Sequence, residues 1–151
     1  MASRIKALCI SFALIAGYAS TVAAQTPRLV EPVQAVQLAA ATRPYGFSGV
    51  FSLTVRSIST RGAFTFLNSE LDERDIRNLS VAIPAKTVQK LQTQYGPVEA
   101  AFLGKTILVS GVAKQVPVSL LHDGKRTISS FLQTTVRASD PKKIRFVAGG
   151  S

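Results

Sequence analysis

Glu70, Asp72, Glu73 and Asp75 fall within six positions of a chain that is otherwise rich in base. Carboxylates crowded in this way attract hard cations such as calcium. An EF-hand type of loop, however, needs oxygen ligands at alternate positions around a central glycine, and Glu70, Asp72 and Asp75 do not supply that pattern. Arg74 and Arg77 lie inside the same stretch and would neutralise the site. The expectation is therefore an ordered loop whose acids cap backbone amides and pair with these two arginines, with no metal assigned.

Two further groupings invite catalytic readings and fail them on chemistry. Gly104-Lys105-Thr106 matches the end of a phosphate-binding loop, but Glu99 stands five residues before Gly104, where a glycine is required. The chain there also runs from helix to strand, so no glycine nest on a helix N-terminus can cradle phosphates. His122, the single histidine, adjoins Asp123 and Gly124. A hydrolase needs a nucleophile, an imidazole base and an orienting acid, and neither a nucleophile elbow nor a usable cysteine is present, so His-Asp-Gly reads as a hairpin tip. The protein is expected not to be an enzyme and to need no cofactor. A cation-dependent nuclease stays as a third reading, with acids converging from separate strands. Asn78-Leu79-Ser80 matches a glycosylation acceptor but opens a predicted strand and is given little weight.

The elements that must position these residues begin after residue 24. Arg4 and Lys6 precede an apolar run of about eleven residues, and Val22-Ala23-Ala24 supplies small residues at a cleavage site. Residues 1–24 thus read as an export signal, too short for the roughly 20 apolar residues of a membrane span. The expected location is periplasmic or secreted. Cys9 lies within the signal, so the mature chain has no cysteine and packing alone must hold it. Residues 25–151 carry 18 − 2 = 16 basic and 8 acidic side chains, about +8, which suits acidic partners.

Residues 25–45, with Pro27, Pro32 and Pro44, read as an arm or linker in which Glu31 to Thr42 has the makings of a short helix. Residues 46–148 form the predicted domain. Residues 49–58 alternate apolar and polar, which is a strand with one buried face. Residues 59–62 read as a turn, followed by strands over 63–67 and 79–83. Val88, Leu91 and Tyr95 recur at helical spacing, with Gly96 as cap and Pro97 opening a further turn. Strands resume at Lys105, fold back at Asp123-Gly124, return over 127–138 and end with 142–147. Three strands without an intervening helix argue against a doubly wound parallel sheet. The expected fold is mainly β, a small five-stranded barrel with one helix between strands three and four.

Such a chain resembles the OB-fold. More narrowly, it is similar to a group of exported bacterial OB-type domains with a pattern close to LNSE-x-D-x-R-D-x-R-N-L-x-V-x-I-P, followed by a helix and GKT-I-x-V-x-G. The residues that carry it are Leu67 to Glu70, Asp72, Arg74-Asp75, Arg77 to Leu79, Val81, Ile83-Pro84, Gly104 to Ile107, Val109 and Gly111. The group often has an aromatic where this chain has Glu73. The resemblance implies a binding domain over about residues 47–147.

On such a barrel, ligands lie across strands two and three and between the hairpin loops. Arg56, Arg61, Thr65, Lys114, Lys125, Arg126 and Arg137 are the candidates for a basic track toward phosphates or sulfates. Phe64, Phe66 and Phe131 are candidate stacking faces, although Phe64 and Phe66 alternate with Thr65 as core residues do, and core is the expectation for both. The leading reading is a non-enzymatic domain holding nucleic acid or an anionic glycan. The alternative is an assembly module for a protein partner in the cell envelope.

Overall fold

Phe51, Leu53 and Val55 are buried while Thr54 and Arg56 face solvent, which is the outcome of a period-2 pattern laid over a core. The computed structural model describes residues 28–122 and 125–147, apart from the side chains of 120–129. Its strands are β1 (Leu29–Val30), β2 (Phe47–Thr54), β3 (Ser57–Arg61), β4 (Phe64–Asn68), β5 (Leu79–Pro84), β6 (Thr106–His122), β7 (Lys125–Arg137) and β8 (Ile144–Phe146). The helices are α1 (Pro32–Ala41), α2 (Ala85–Tyr95) and α3 (Val98–Phe102), with a 3₁₀ turn over Pro141–Lys143. No helix among the described residues is long and apolar enough to cross a membrane.

The strands form one mixed sheet, in the order β1-β2-β6-β7-β5-β4-β3, with β8 added to β6. Pairing is parallel for β1 with β2 and for β5 with β7, and antiparallel elsewhere. The strand expected over 49–58 is two strands joined by a bend. Val55 and Arg56 lie between β2 and β3. The Val55 N–H donates to Lys105 O at 2.9 Å, and the next N–H, of Arg56, donates to Asn68 O at 2.8 Å. Consecutive amides thus hand the chain from the β6 side to the β4 side. The expected turn over 59–62 is mostly β3, and the hairpin closes instead at Gly62 and Ala63, where Gly62 takes a φ of 57°.

The core contains Phe51, Leu53, Leu67, Leu79, Ile83, Leu91, Phe102, Ile107 and Val136, each fully buried. Each such side chain contributes about 1.5–3 kcal/mol relative to exposure. Helix α2, between β5 and β6 in the chain, buries Leu91 and Thr87, and the Thr87 hydroxyl donates to Ser139 O at 2.7 Å. Tyr95 stands edge-on to Phe146 and Phe102 at the end of α2.

The segment expected as a loosely docked arm is a correction. Its described part supplies β1 and α1, and α1 packs on β2, β6, β5 and β7 with Ala35 and Ala39 fully buried. The helix looked weakly apolar because its inner face is alanine, which allows close approach at the cost of hydrophobic signal. Pro32 opens it, and Thr42 closes it with its hydroxyl and its N–H both donating to Leu38 O. Beyond α1, Gly46 takes a φ of 83° and lies so close to β6 that a Cβ there would meet Ala113 O at 2.6 Å.

Candidate functional site

The acidic stretch is a clasp held from inside by Asn78. This side chain is 2% exposed, and its amide nitrogen donates to Ser80 Oγ at 3.0 Å, Glu73 O at 3.1 Å and Asn68 Oδ1 at 3.3 Å. Its oxygen accepts from Glu70 N–H at 3.2 Å and Ser69 Oγ at 3.4 Å. Ser80 Oγ donates to Asn68 Oδ1 at 2.6 Å. The side chains of Asn68, Ser69, Asn78 and Ser80 are thereby linked to one another. An Asn78 so buried has no side-chain nitrogen left for a glycan.

Each acid of the stretch has an arginine. Asp72 accepts from Nε, Nη2 and the backbone N–H of Arg74, and Asp75 from the same three groups of Arg77, with distances of 2.8–3.2 Å. The Arg77 side-chain hydrogen bond, and then its backbone N–H, lower the Asp75 carboxyl to about 2; Arg74 lowers Asp72 in the same way. The expectation named only these two arginines. Glu70 instead pairs with Arg56 at 3.0 Å, and Glu73 with Arg61 at 3.4 Å while accepting from Ser59 Oγ at 3.0 Å. Among the described residues no group of three or more His, Cys, Asp or Glu side chains is arranged to hold a metal ion.

The other polar concentration lies on the outer face of β3, β4, β5, β7 and β6. Register places Phe66, Ala82 and Arg137 side by side on β4, β5 and β7. The adjacent row is Asn68, Ser80, Thr135 and Lys114. Side chains two apart on a strand share a face, so Phe64, Phe66, Arg137, Thr135, Lys114 and Val116 all project to this side. Two adjoining cavities open there. One, of about 600 Å³, is lined by Phe64, Phe66, Ala82, Val112, Lys114, Val116, Thr135, Arg137 and Lys143, among others. The second, of about 450 Å³, is lined by residues that include Arg61, Phe66, Pro117, Gln133 and Thr135.

Both aromatic rings carry a guanidinium. Arg61 lies 4.5 Å from the Phe66 centroid and Arg137 lies 5.0 Å from that of Phe64. Such stacking fixes both cations; the N–H edge of Arg137 has no ion-pair partner among the described residues and can meet an oxyanion, whereas that of Arg61 serves Glu73 and Gln133. Arg61 is fixed further by donating to Gln133 Oε1 at 3.1 Å, and Gln133 donates to Ser80 Oγ at 2.9 Å. The arginine is thereby tied into the Asn78 clasp.

Of the sequence candidates, Arg61, Lys114 and Arg137 come together on this face. Arg56 lines neither cavity and is paired with Glu70 at the β2–β3 bend. Thr65 is a correction. It faces the side of Leu67, opposite to Phe64 and Phe66, and its hydroxyl meets that of Thr60 at 3.3 Å. The core expectation for Phe64 and Phe66 is corrected with it, because both are half-buried on the outer face. Alternation sorts side chains into two faces without saying which is inside. Phe131 is half-buried on the same face of β7, nearer the hairpin end, and lines neither cavity. Lys125 and Arg126 pair with His122 and Leu121 across the hairpin. Their side chains, that of His122, and the Asp123-Gly124 turn lie outside the described residues. Lys143 was missed because it ends the 3₁₀ turn before β8, with no pattern linking it to β4.

No protein-family profile matches the chain, and no curated protein sequence matches it. Among solved structures it is similar to an aspartyl tRNA synthetase from Entamoeba histolytica, with a TM-score of 0.48 and 13% identity over 80% of this chain and 21% of that one. It is also similar to a putative aspartyl-tRNA synthetase from Leishmania major Friedlin, with a TM-score of 0.40 and 14% identity over 87% of this chain and 23% of that one. The chain thus spans less than a quarter of either protein.

Proposed function

We propose that this protein is an exported, non-enzymatic binding domain of OB type that holds an anionic polymer, nucleic acid or glycan, on the outer face of β4, β5, β7 and β6. In this reading β2 and β3 are one bent strand, and with β4, β5, β6 and β7 they make a five-stranded barrel with α2 between its third and fourth strands. The parallel β5–β7 pairing and the hand-over at Val55 and Arg56 support it. The observation that carries the functional reading is the pair of guanidinium groups stacked on Phe64 and Phe66, beside Lys114 and Lys143, with no carboxylate lining the larger cavity among the described residues. Arg137, Lys114 and Lys143 contact phosphate or sulfate oxygens, and Arg61 sets the rim. Binding of this kind reads charge rather than sequence.

The test is affinity for labelled oligothymidine and for heparin fragments over a salt series. Binding that weakens linearly in log K against log salt supports the reading. Absence of binding at low salt, or indifference to salt, removes it.

Docking of a protein partner is favoured by one feature. The clasped loop presents Leu71 and Ile76 at 70% and 85% exposure. Pull-down from envelope extract that depends on Ile76→Asp, with polymer binding intact, would favour this second reading.

A further inference from the structure

The larger cavity joins an apolar surface to cations. Phe64, Phe66, Val112 and Val116 give it an apolar lining, and the two valines remain 38% exposed. Lys114, Arg137 and Lys143 stand around that lining, and none has an ion-pair partner among the described residues. We infer that this pocket binds a small amphipathic anion, an apolar acyl-like body ending in a single acid group. The inference goes beyond the polymer reading and does not depend on it.

Size and polar satisfaction both point this way. About 600 Å³ falls within the roughly 300–1,000 Å³ of small-molecule sites. Apolar surface left wet in a concave site gains from being covered, and an acyl body covers it while its acid group meets the cations. Lys114 and Thr135 are direct partners across β6 and β7, and Arg137 projects from the same face two residues on. Thr135 and Arg137, on β7, form a line of donors between the valines of β6 and the phenylalanines of β4, and Lys114 joins it from between Val112 and Val116. Thr135 Oγ1 is buried with no hydrogen-bond partner among the described residues. An acid group seated between Lys114 and Arg137 supplies that partner once the lining side chains adjust, and it recovers the cost of an orphaned hydroxyl.

Calorimetric titration of the whole exported chain with hexanoate, octanoate and decanoate, below micelle formation, tests the inference. Affinity should rise roughly fourfold for each methylene buried. Decanol should bind roughly tenfold more weakly than decanoate, for want of the charge-assisted hydrogen bonds, and decyltrimethylammonium should not bind. Arg137→Gln should weaken decanoate roughly tenfold and leave decanol unchanged. Val112→Asp should abolish the chain-length dependence, and Val116→Ser replaces it should that variant not fold. Equal binding of the three decyl compounds, decanoate binding indifferent to Arg137→Gln, or no decanoate binding would each overturn the pocket. In the last case, retained heparin or oligothymidine binding would leave the polymer reading standing. Flotation with phosphatidylglycerol vesicles without decanoate binding would indicate a lipid surface and would also overturn it.

Discussion

Asn78 uses both ends of its amide on five partners while 2% exposed, and it decides whether the acidic loop has one conformation. Asn78→Ala would strand Glu73 O and the Glu70 N–H together, while Ser69 Oγ keeps the Leu79 N–H at 2.9 Å. Unmade buried hydrogen bonds of this type cost about 1–3 kcal/mol, so a loss near 2–3 kcal/mol is expected. In a domain of this size that lowers Tm by roughly 10 °C, and an unchanged urea m-value would show that the loss lies in the native state. A shift below a few degrees would mean the clasp is not what holds the loop. Asp75 offers a separate test. Its folded pKa, about 2, lies below the ordinary 3.8, so its pairing with Arg77 stabilises the fold above the ordinary value and is lost as pH falls through about 2. The carboxyl resonance of Asp75 should titrate near 2 in the native protein and near the ordinary carboxylate range in Arg77→Ala. Equal midpoints would exclude the ion pair in solution. The acids could be read from the sequence as a loop rather than a metal site, and Arg74 and Arg77 as partners. Arg56 and Arg61 could not, because only the β2–β3 bend brings them beside Glu70 and Glu73.

At the scale of elements, the period-2 strands and the helix after Pro84 were legible because core residues fall on one face of each. Three features were not. The bend at Val55 and Arg56 carries no turn residue, the outward face of β4 depends on Leu67 rather than the phenylalanines being inside, and α1 hides its contact surface in alanines. The last of these gives a stability prediction. Ala39 is fully buried where α1 meets the sheet, so Ala39→Leu overpacks that contact and should cost about 1–3 kcal/mol. Val33, 46% exposed on the same helix, should accept alanine within about 0.5 kcal/mol. Denaturant midpoints of the two variants compare them directly. Equal effects would mean that α1 is not packed on the sheet in solution, and the segment would then behave as the tether its composition suggests.

On the whole molecule, the four acids of the clasp are matched by four arginines, Arg56, Arg61, Arg74 and Arg77. Taking residues 25–151, 16 − 4 = 12 basic and 8 − 4 = 4 acidic side chains remain, so the whole excess of +8 lies outside the clasp. Two substitutions that change net charge equally should therefore differ in effect. Arg137→Glu reverses a cation on the proposed binding face, and it should weaken both oligothymidine and heparin fragments while reducing the salt slope by about 1 or more. Arg74→Glu makes the same change of charge on the clasp, on an exposed side chain that lines neither cavity, where salt near 0.15 M screens it. Its affinity should stay within about twofold of the parent protein, which is less than 0.5 kcal/mol by the usual conversion. Fluorescence anisotropy at several salt concentrations measures both slopes. If the two variants lose affinity in parallel, attraction is a property of net charge alone and the outer face has no special role. If only Arg137→Glu loses it, the polymer is held where the stacked guanidinium groups stand.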